Sequence, residues 1–329
     1  MTLRDKKVLV TGAAGFIGSH LVEALVKKAA KVKAFVHYNS KTSCGSISLL
    51  DKEIRNNIEI CYGDLRELDT LKKVISKSDF VFNLAALVGI PYSYLHPHEV
   101  VMTNIIGTLN LLTAARDAGV KKFVQTSTSE VYGSPDRVPI KETSTLKPQS
   151  PYSASKIGSD AIALSFYYSF GLPVAIVRPF NAYGPRQSAR AVIPTIICQA
   201  LLGDTLRLGA IYPRRDFTYV EDIVEGFIKI AESGSSVGEV INIGTGKDVS
   251  IGEAVKLIGN ILVKRLQILQ DSKRIRPKKS EVIRLRADNS KARKLLNWGP
   301  KFSLEEGLKK TIDFIAANPE LYNPDEYAV

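Results

Sequence analysis

The sequence predicts an α/β protein: a doubly wound parallel sheet carrying a smaller C-terminal α/β lobe. Three observations predict it. Short apolar runs alternate with helical patterns through the first two-thirds of the chain. A glycine-rich turn joins the first apolar run to the first helical stretch. After Asn181 the texture shifts to polar loops, short strands and charged helices, as expected of a second lobe that packs on the first to form a cleft.

Taken in order, "KKVLVTG" (6–12) reads as a first buried strand and "FIGSHLVEALVKKA" as the helix returning over it. "KVKAFVH" (31–37) is a second strand, "NIEICYGD" (57–64) a third and "DFVFNLAA" (79–86) a fourth. A long helix, "VVMTNIIGTLNLLTAARDAG", runs into its closing Gly119. "KKFVQTSTS" (121–129) is a fifth strand. The helix bearing Tyr152 and Lys156 follows a Pro-rich loop, and "PVAIVRPFN" (173–181) is a sixth strand. Residues 1–181 are thus expected to form a dinucleotide-binding domain, with the helix and strand of 216–245 returning to it. Segments 182–215 and 246–329 are expected to form the second lobe.

The chain has 329 residues, 45% of them apolar, and no apolar run long enough to span a bilayer. Its start, "MTLRDKKVLVTG", passes from a charged hexapeptide straight into a strand, which predicts no signal peptide. The three cysteines, Cys44, Cys61 and Cys198, form no CxxC pair and point to a reduced, cytoplasmic protein. Four dispersed histidines offer no zinc cluster, so no metal is expected, and Asp216, Glu221 and Asp222 read as N-cap and helix-start charges. The net charge of +12 concentrates in the last third without any nucleic-acid motif. That argues against nucleic acid and membrane as partners and for a small polyanion.

"VTGAAGFIGSH" sets Gly12, Gly15 and Gly18 between the first strand and its helix. Glycines there permit a tight turn and let a pyrophosphate reach backbone N–H groups at a helix N-terminus. Tyr152 and Lys156 stand at i and i+4, on one face of a helix. An ammonium beside a phenol is expected to lower its pKa, so that the phenolate can take a proton from a sugar hydroxyl.

The TGxxGxxG spacing resembles the short-chain dehydrogenase/reductase superfamily, in its extended branch acting on nucleotide sugars. The resemblance implies a Rossmann-type sheet and a nicotinamide dinucleotide, NAD in the first place. It would lie against Gly12, Gly15, Phe16, Ile17 and Gly18 and against Leu84, Ala85 and Ala86 of "NLAAL". Asp64 and Leu65 of "YGDL" would hold the adenine, and Asp64 could also cap the following helix. Asn104 would be structural. Where an acidic residue would bind the adenosine ribose, the second strand ends in Val36 and His37. NADP therefore stays open beside NAD, its extra phosphate meeting His37, Ser40 or Lys41.

Within "TSTSEVYG" (126–133) the family's hydroxyl partner of Tyr152 falls on Thr128. Relatives that bind the dinucleotide only as sensors typically lose the Tyr–Lys pair; its presence here implies an enzyme. The resemblance also implies that Asn181, Arg186, Arg190, Arg215, Arg276 and Glu281 contact a nucleotide-diphosphate sugar. Guanidinium suits phosphate at such points because it donates two parallel hydrogen bonds.

Glu130 decides among reactions. A 4-epimerase needs no carboxylate beyond the oxidation pair. A 4,6-dehydratase needs one to remove the C5 proton after C4 is oxidised, and a decarboxylase of UDP-glucuronic acid needs one to protonate C5. "TSTSEVYG" fits both of the latter, and Ser129 stands where many dehydratases have an acid. The flanks "AALVGIPYSY" (85–94), "PQSPYSASKIGSDA" (148–161), "NAYGPRQSARAVIPTII" (181–197) and "RIRPKKSEVIRLRADN" (274–289) resemble N-acetylglucosamine-nucleotide 4,6-dehydratases of legionaminic acid biosynthesis, through to the final "YNPDEYAV". The implied activity is dehydration of GDP- or UDP-N-acetylglucosamine, with Glu130 as C5 base and C6 acid. The alternatives are a UDP-sugar 4-epimerase and the decarboxylase. The family's habit implies a homodimer through the helices at 97–118 and 152–170.

Overall fold

β1 (Lys7–Thr11) sends Val8 and Val10 to one face of the central sheet and Leu9 to the other, so two apolar layers form on a single strand. This is a computed structural model of the chain, and the residues it describes are 1–40 and 43–322. α1 (Phe16–Lys27), β2 (Lys31–His37), α2 (Lys52–Asn56), β3 (Ile58–Gly63), α3 (Leu68–Ile75) and β4 (Phe80–Asn83) follow. The chain continues through α4 (Ile90–Leu95), α5 (Pro97–Val101), α6 (Gly107–Asp117), β5 (Lys122–Thr126), α7 (Pro151–Phe170) and β6 (Val174–Pro179). After β7 (Ala182–Tyr183), α8 (Val192–Leu202), β8 (Thr205–Leu208), β9 (Arg214–Arg215), β10 (Thr218–Tyr219) and α9 (Val220–Glu232), β11 (Val240–Ile243) rejoins the main sheet beside β6.

The sheet is seven-stranded, in the order β11-β6-β5-β4-β1-β2-β3, and every pairing in it is parallel. It is the doubly wound α/β sheet that the alternating pattern predicts. The order reverses between β1 and β4, and the crevice outside the carboxyl ends of those strands is where such sheets bind ligands. On one face α1 and α9 bury Leu21, Val22, Leu25, Ile223 and Phe227; on the other α3, α6 and α7 bury Leu71, Leu111, Leu112 and Phe166.

The chain goes on through β12 (Val249–Ser250), α10 (Ile251–Leu262), β13 (Gln267–Gln270), β14 (Arg284–Leu285), α11 (Ser290–Leu296) and α12 (Leu304–Ala317). These strands, with β8 and β9, form small separate sheets, β12-β9-β14 and β13-β8. Asp216 fastens three separate segments of the chain together. Fully buried, it accepts the N–H groups of Thr245, Gly246 and Ala287 and the hydroxyls of Thr218 and Thr245. The expected N-cap role is corrected: the α9 N-cap position falls on Tyr219, while Glu221 and Asp222 do sit in the first turn of that helix.

Two local features aim the site. α7 starts at a capping box, Ser150 with Ser153, with Pro151 in its first turn, and stops at Gly171 with φ +67°. Tyr152 is thereby held at the cleft end. The helix expected at 100–119 is interrupted by a π-helical turn, Met102–Ile106, between α5 and α6. The turn carries Asn104, whose amide accepts the Leu87 N–H and donates to the Leu87 carbonyl and the Ser155 hydroxyl. One residue thus pins the segment after β4 to α7.

Candidate active site

The glycine turn is built for a close approach. Gly12 sits at φ +66°, and a Cβ there would come within 2.7 Å of Ala85 N. A Cβ on Gly18 would meet Gly12 O at 2.1 Å. Gly15 occupies the α1 N-cap without a side-chain cap, so the first N–H groups of α1, including those of Phe16 and Ile17, face outward for an anion. Leu84 N and Ala85 N bond back to Thr11, and half-buried Ala86 continues that wall. A cavity of about 570 Å³ opens beside Gly15 and Phe16, bounded by Gly45, Ser46, Arg186 and Arg190.

At the adenosine end Asp64 holds Arg66 through paired contacts and lies 3.5 Å from His37 Nε2. The Arg66 guanidinium holds the Asp64 carboxyl below its usual range. Asp64 therefore ties the ends of β2 and β3 and does not cap α3, whose N-cap position is Glu67. Leu65 is buried against Gly107. Ser40 is exposed, and Lys41 falls outside the described residues.

β5 ends at the cleft in the hydroxyl cluster. Thr128 caps the turn Ser129–Tyr132 by accepting the Glu130 N–H at 3.2 Å, with Ser129 buried inside the turn. Tyr152 is 7% exposed. Burial raises its phenol above the ordinary value, a hydrogen bond from Thr128 pulls it back, and the carboxylates of Glu130 and then Asp160 push it up. Glu130 is thus held beside Thr128, and its charge acts on the Tyr152 phenol. The expected lowering of Tyr152 by Lys156 is not what these residues produce on their own, because desolvation of the phenol dominates. Lys156, 3% exposed, is lowered by burial to about 8, and the charge that supports it is Asp160.

Asp160 and Arg178 belong to a buried network that the sequence reading did not include. Asp160 Oδ2 accepts the Ser127 hydroxyl at 2.6 Å and the Arg178 guanidinium at 3.1 Å. Arg178 also donates to the Tyr132 hydroxyl, which donates to Asn242 Oδ1. The signal was present: Asp160 follows Lys156 by one helical turn, as Lys156 follows Tyr152.

Across the cleft, buried Arg215 donates to Glu281 Oε1 at 3.2 Å, and Arg276 lies 3.9 Å from the same oxygen. Burial lowers the Arg215 guanidinium, and Glu130 is the foremost of the charges that raise it. Glu281 is the carboxylate that Arg215 contacts, and the Glu130 charge acts on it without a direct ion pair. Asn181 Oδ1 and Arg276 NH1 are buried without a hydrogen-bond partner, as polar atoms waiting on a ligand would be.

Arg186 departs from the expected reach toward the nucleotide. At φ +66° it turns onto α1, donating to Glu23 Oε2 at 2.8 Å and to the His20 ring. His20 Nε2 donates to the Pro185 carbonyl, which leaves Nδ1 as acceptor for Arg186. Burial, then the Arg186 charge, lowers His20 to about 4. Arg190 is exposed at the rim.

These residues fit a dinucleotide: an uncapped helix N-terminus in a turn that side chains would fill, a buried ammonium, and Thr126 Oγ1 buried without a partner. The comparisons agree. Residues 9–311 match the GDP-mannose 4,6-dehydratase family. The dTDP-D-glucose 4,6-dehydratase of Mus musculus is 32% identical over 95% of this chain and 89% of its own. DesIV, a dTDP-glucose 4,6-dehydratase from Streptomyces venezuelae solved with NAD bound, superposes with a TM-score of 0.85 at 30% identity, covering 97% of this chain and 99% of that one. A UDP-N-acetylglucosamine 4-epimerase from Methanobrevibacter ruminantium M1, solved with UDP-N-acetylmuramic acid, gives 0.86 at 33% identity, covering 96% and 99%.

Proposed function

The chain belongs to the GDP-mannose 4,6-dehydratase family, within the NAD-dependent epimerases and dehydratases of nucleotide sugars, and from that premise we propose that it is a 4,6-dehydratase. Its substrate in this reading is GDP- or UDP-N-acetylglucosamine and its product the 4-keto-6-deoxy sugar. The observation that carries the reading is Glu130: a carboxylate held beside Thr128 acts on the Tyr152 phenol, and an epimerase would have no use for it.

NAD, when bound, takes up a hydride from the sugar and returns it. Gly12, Gly15, Phe16, Ile17 and Gly18 hold it with Leu84, Ala85, Ala86 and Lys156, and Asp64 and Leu65 close the adenosine end. Thr128 orients the C4 hydroxyl and Tyr152 removes its proton. The resulting ketone acidifies C5. Glu130 takes the C5 proton and delivers it to the C6 hydroxyl, which leaves as water. The hydride comes back at C6 and the proton that Tyr152 took from O4 goes to C5, so the net loss is one water. Ser129 lacks the acidity to protonate the leaving group, which assigns both transfers to Glu130. Asn181, Arg215, Arg276 and Glu281 hold the diphosphate and nucleotide, and Arg190 meets them at the rim.

The same reading keeps residues 1–181, with 216–245, as the dinucleotide-binding part and the remainder as the sugar lobe. It includes a homodimer in the cytoplasm, joined through α5, α6 and α7, which expose Val101, Tyr168 and Phe170. Among the described residues no helix is long and apolar enough to cross a membrane.

The test is incubation with GDP-N-acetylglucosamine, UDP-N-acetylglucosamine, UDP-glucose and UDP-glucuronic acid, read by mass spectrometry. Loss of water from an N-acetylglucosamine nucleotide is expected and names the base. Loss of carbon dioxide from the glucuronate, or an unchanged mass with inverted C4, would replace the reading with one of its alternatives.

A further inference from the structure

We propose that Asp160 is a positioning residue that fixes the place and charge of the Lys156 ammonium at the dinucleotide site. The inference rests on the reading of Lys156 as a cofactor contact. Asp160 lies one helical turn beyond Lys156 on the same face of α7 and is itself 3% exposed. Its Oδ2 is pinned from two other elements, by Ser127 at the end of β5 and by Arg178 on β6. Its Oδ1 is buried with no hydrogen-bond partner. A carboxylate anchored by one oxygen, with the other left bare, directs its remaining field at the nearest cation that lacks a partner.

Lys156, one helical turn away on the same helix face, is a cation on which that field acts. The other charged and titratable groups near α7 are committed elsewhere or exposed. Arg178 and Tyr132 bond to each other, and Arg178 to Asp160. Glu130, in the turn beside α7, acts on Tyr152 and Arg215. On α4, Tyr92 bonds to Glu99 of α5 and Tyr94 to Ser280. His98 of α5 is exposed, and on α6 Arg116 pairs with Asp117 at the far end of the helix. Among the described residues, Asp160 is the one charge acting on Lys156. Without it a desolvated ammonium would shed its proton more readily. Its hold on the cofactor would then be lost at lower pH.

The test is NAD affinity, measured by equilibrium titration from pH 6 to 9, together with turnover. In the native protein affinity is expected to fall as pH rises through about 8. Asp160→Asn should move that fall toward acid by about one pH unit, weakening NAD about tenfold in the window between. Affinity at the acid end should stay unchanged. In a Lys156→Met background Asp160→Asn should add nothing to the loss of NAD affinity. Because Asp160→Asn leaves Arg178 buried and unpaired, the pair D160N/R178M provides a folded counterpart without that orphan charge, and it should show the same acid shift. Equal weakening at every pH, or an equal further loss in the Lys156→Met background, would overturn the proposal and leave Asp160 a structural residue.

Discussion

The Thr128 hydroxyl accepts the backbone N–H of Glu130 at 3.2 Å, and the same side chain acts on the Tyr152 phenol, lowering its pKa. In the proposed dehydration the two residues beside this hydroxyl have different tasks, Tyr152 as the base for C4 oxidation and Glu130 as the carboxylate for elimination. Thr128→Val keeps the shape and removes the hydroxyl. Its expected effect is a loss of about 1 kcal/mol in stability, small beside a drop in turnover of about tenfold or more. Denaturant unfolding and steady-state rates, measured on the same sample, check the contrast.

The close contact between Gly18 and Gly12 carries a second expectation. The atom that Gly18→Ala would add lies 2.1 Å from backbone, which has nowhere to move without opening the turn. NAD affinity should fall by about tenfold or more, while the buried strands keep the circular dichroism of the fold. Calorimetric titration with NAD reads this directly. Unaltered binding would mean that the turn yields.

His20 gives a pH dependence of stability. Its folded value, about 4, lies below the ordinary value of 6.5, so between these limits the unfolded chain binds the proton and the folded chain does not. Stability is therefore intact above about 6.5 and is lost as pH falls toward 4, by about 3 kcal/mol from this group. His20→Gln can donate to Pro185 and accept from Arg186 without titrating. Urea unfolding at pH 4.5 and 7 should show a smaller difference for the variant than for the native protein.

Asp216 is the test of how these three segments of the chain are joined. Its two oxygens accept five donors, and three of these are backbone N–H groups. In Asp216→Asn either orientation of the amide turns an NH₂ group against N–H donors. The cost should be about 3 kcal/mol, read as a lower unfolding midpoint. A midpoint within the error of the native value would remove Asp216 from its place as the anchor between segments.

The fold was largely legible because the central parallel strands are buried on both faces and so appear as unbroken apolar runs, as in "DFVFNLAA" and "PVAIVRPFN". The glycine turn and the Tyr152–Lys156 pair were legible because short-range spacing alone fixes their geometry. Asp160 was one spacing further along the same helix face, yet its meaning depends on Arg178, which comes from another strand. Arg186 is placed by a relationship of the same kind. Its neighbours in sequence sit at the cleft, but a left-handed backbone turns its side chain back onto α1, and no local pattern announces that turn. The buried atoms of Asn181 and Arg276 that lack a hydrogen bond are likewise a product of packing, with no mark in the local sequence.

The most direct test of Glu130 as the C5 base is solvent deuterium at C5 of the sugar. Native enzyme turning over its N-acetylglucosamine nucleotide in deuterium oxide should give a product short of one water and labelled at C5. Glu130→Gln should still reduce bound NAD, through Tyr152, yet show C5 exchange and water loss slowed by about 10²–10⁴-fold. Exchange and dehydration at the native rate in Glu130→Gln would contradict the assignment, and native product of unchanged mass with inverted C4 would contradict the dehydratase itself.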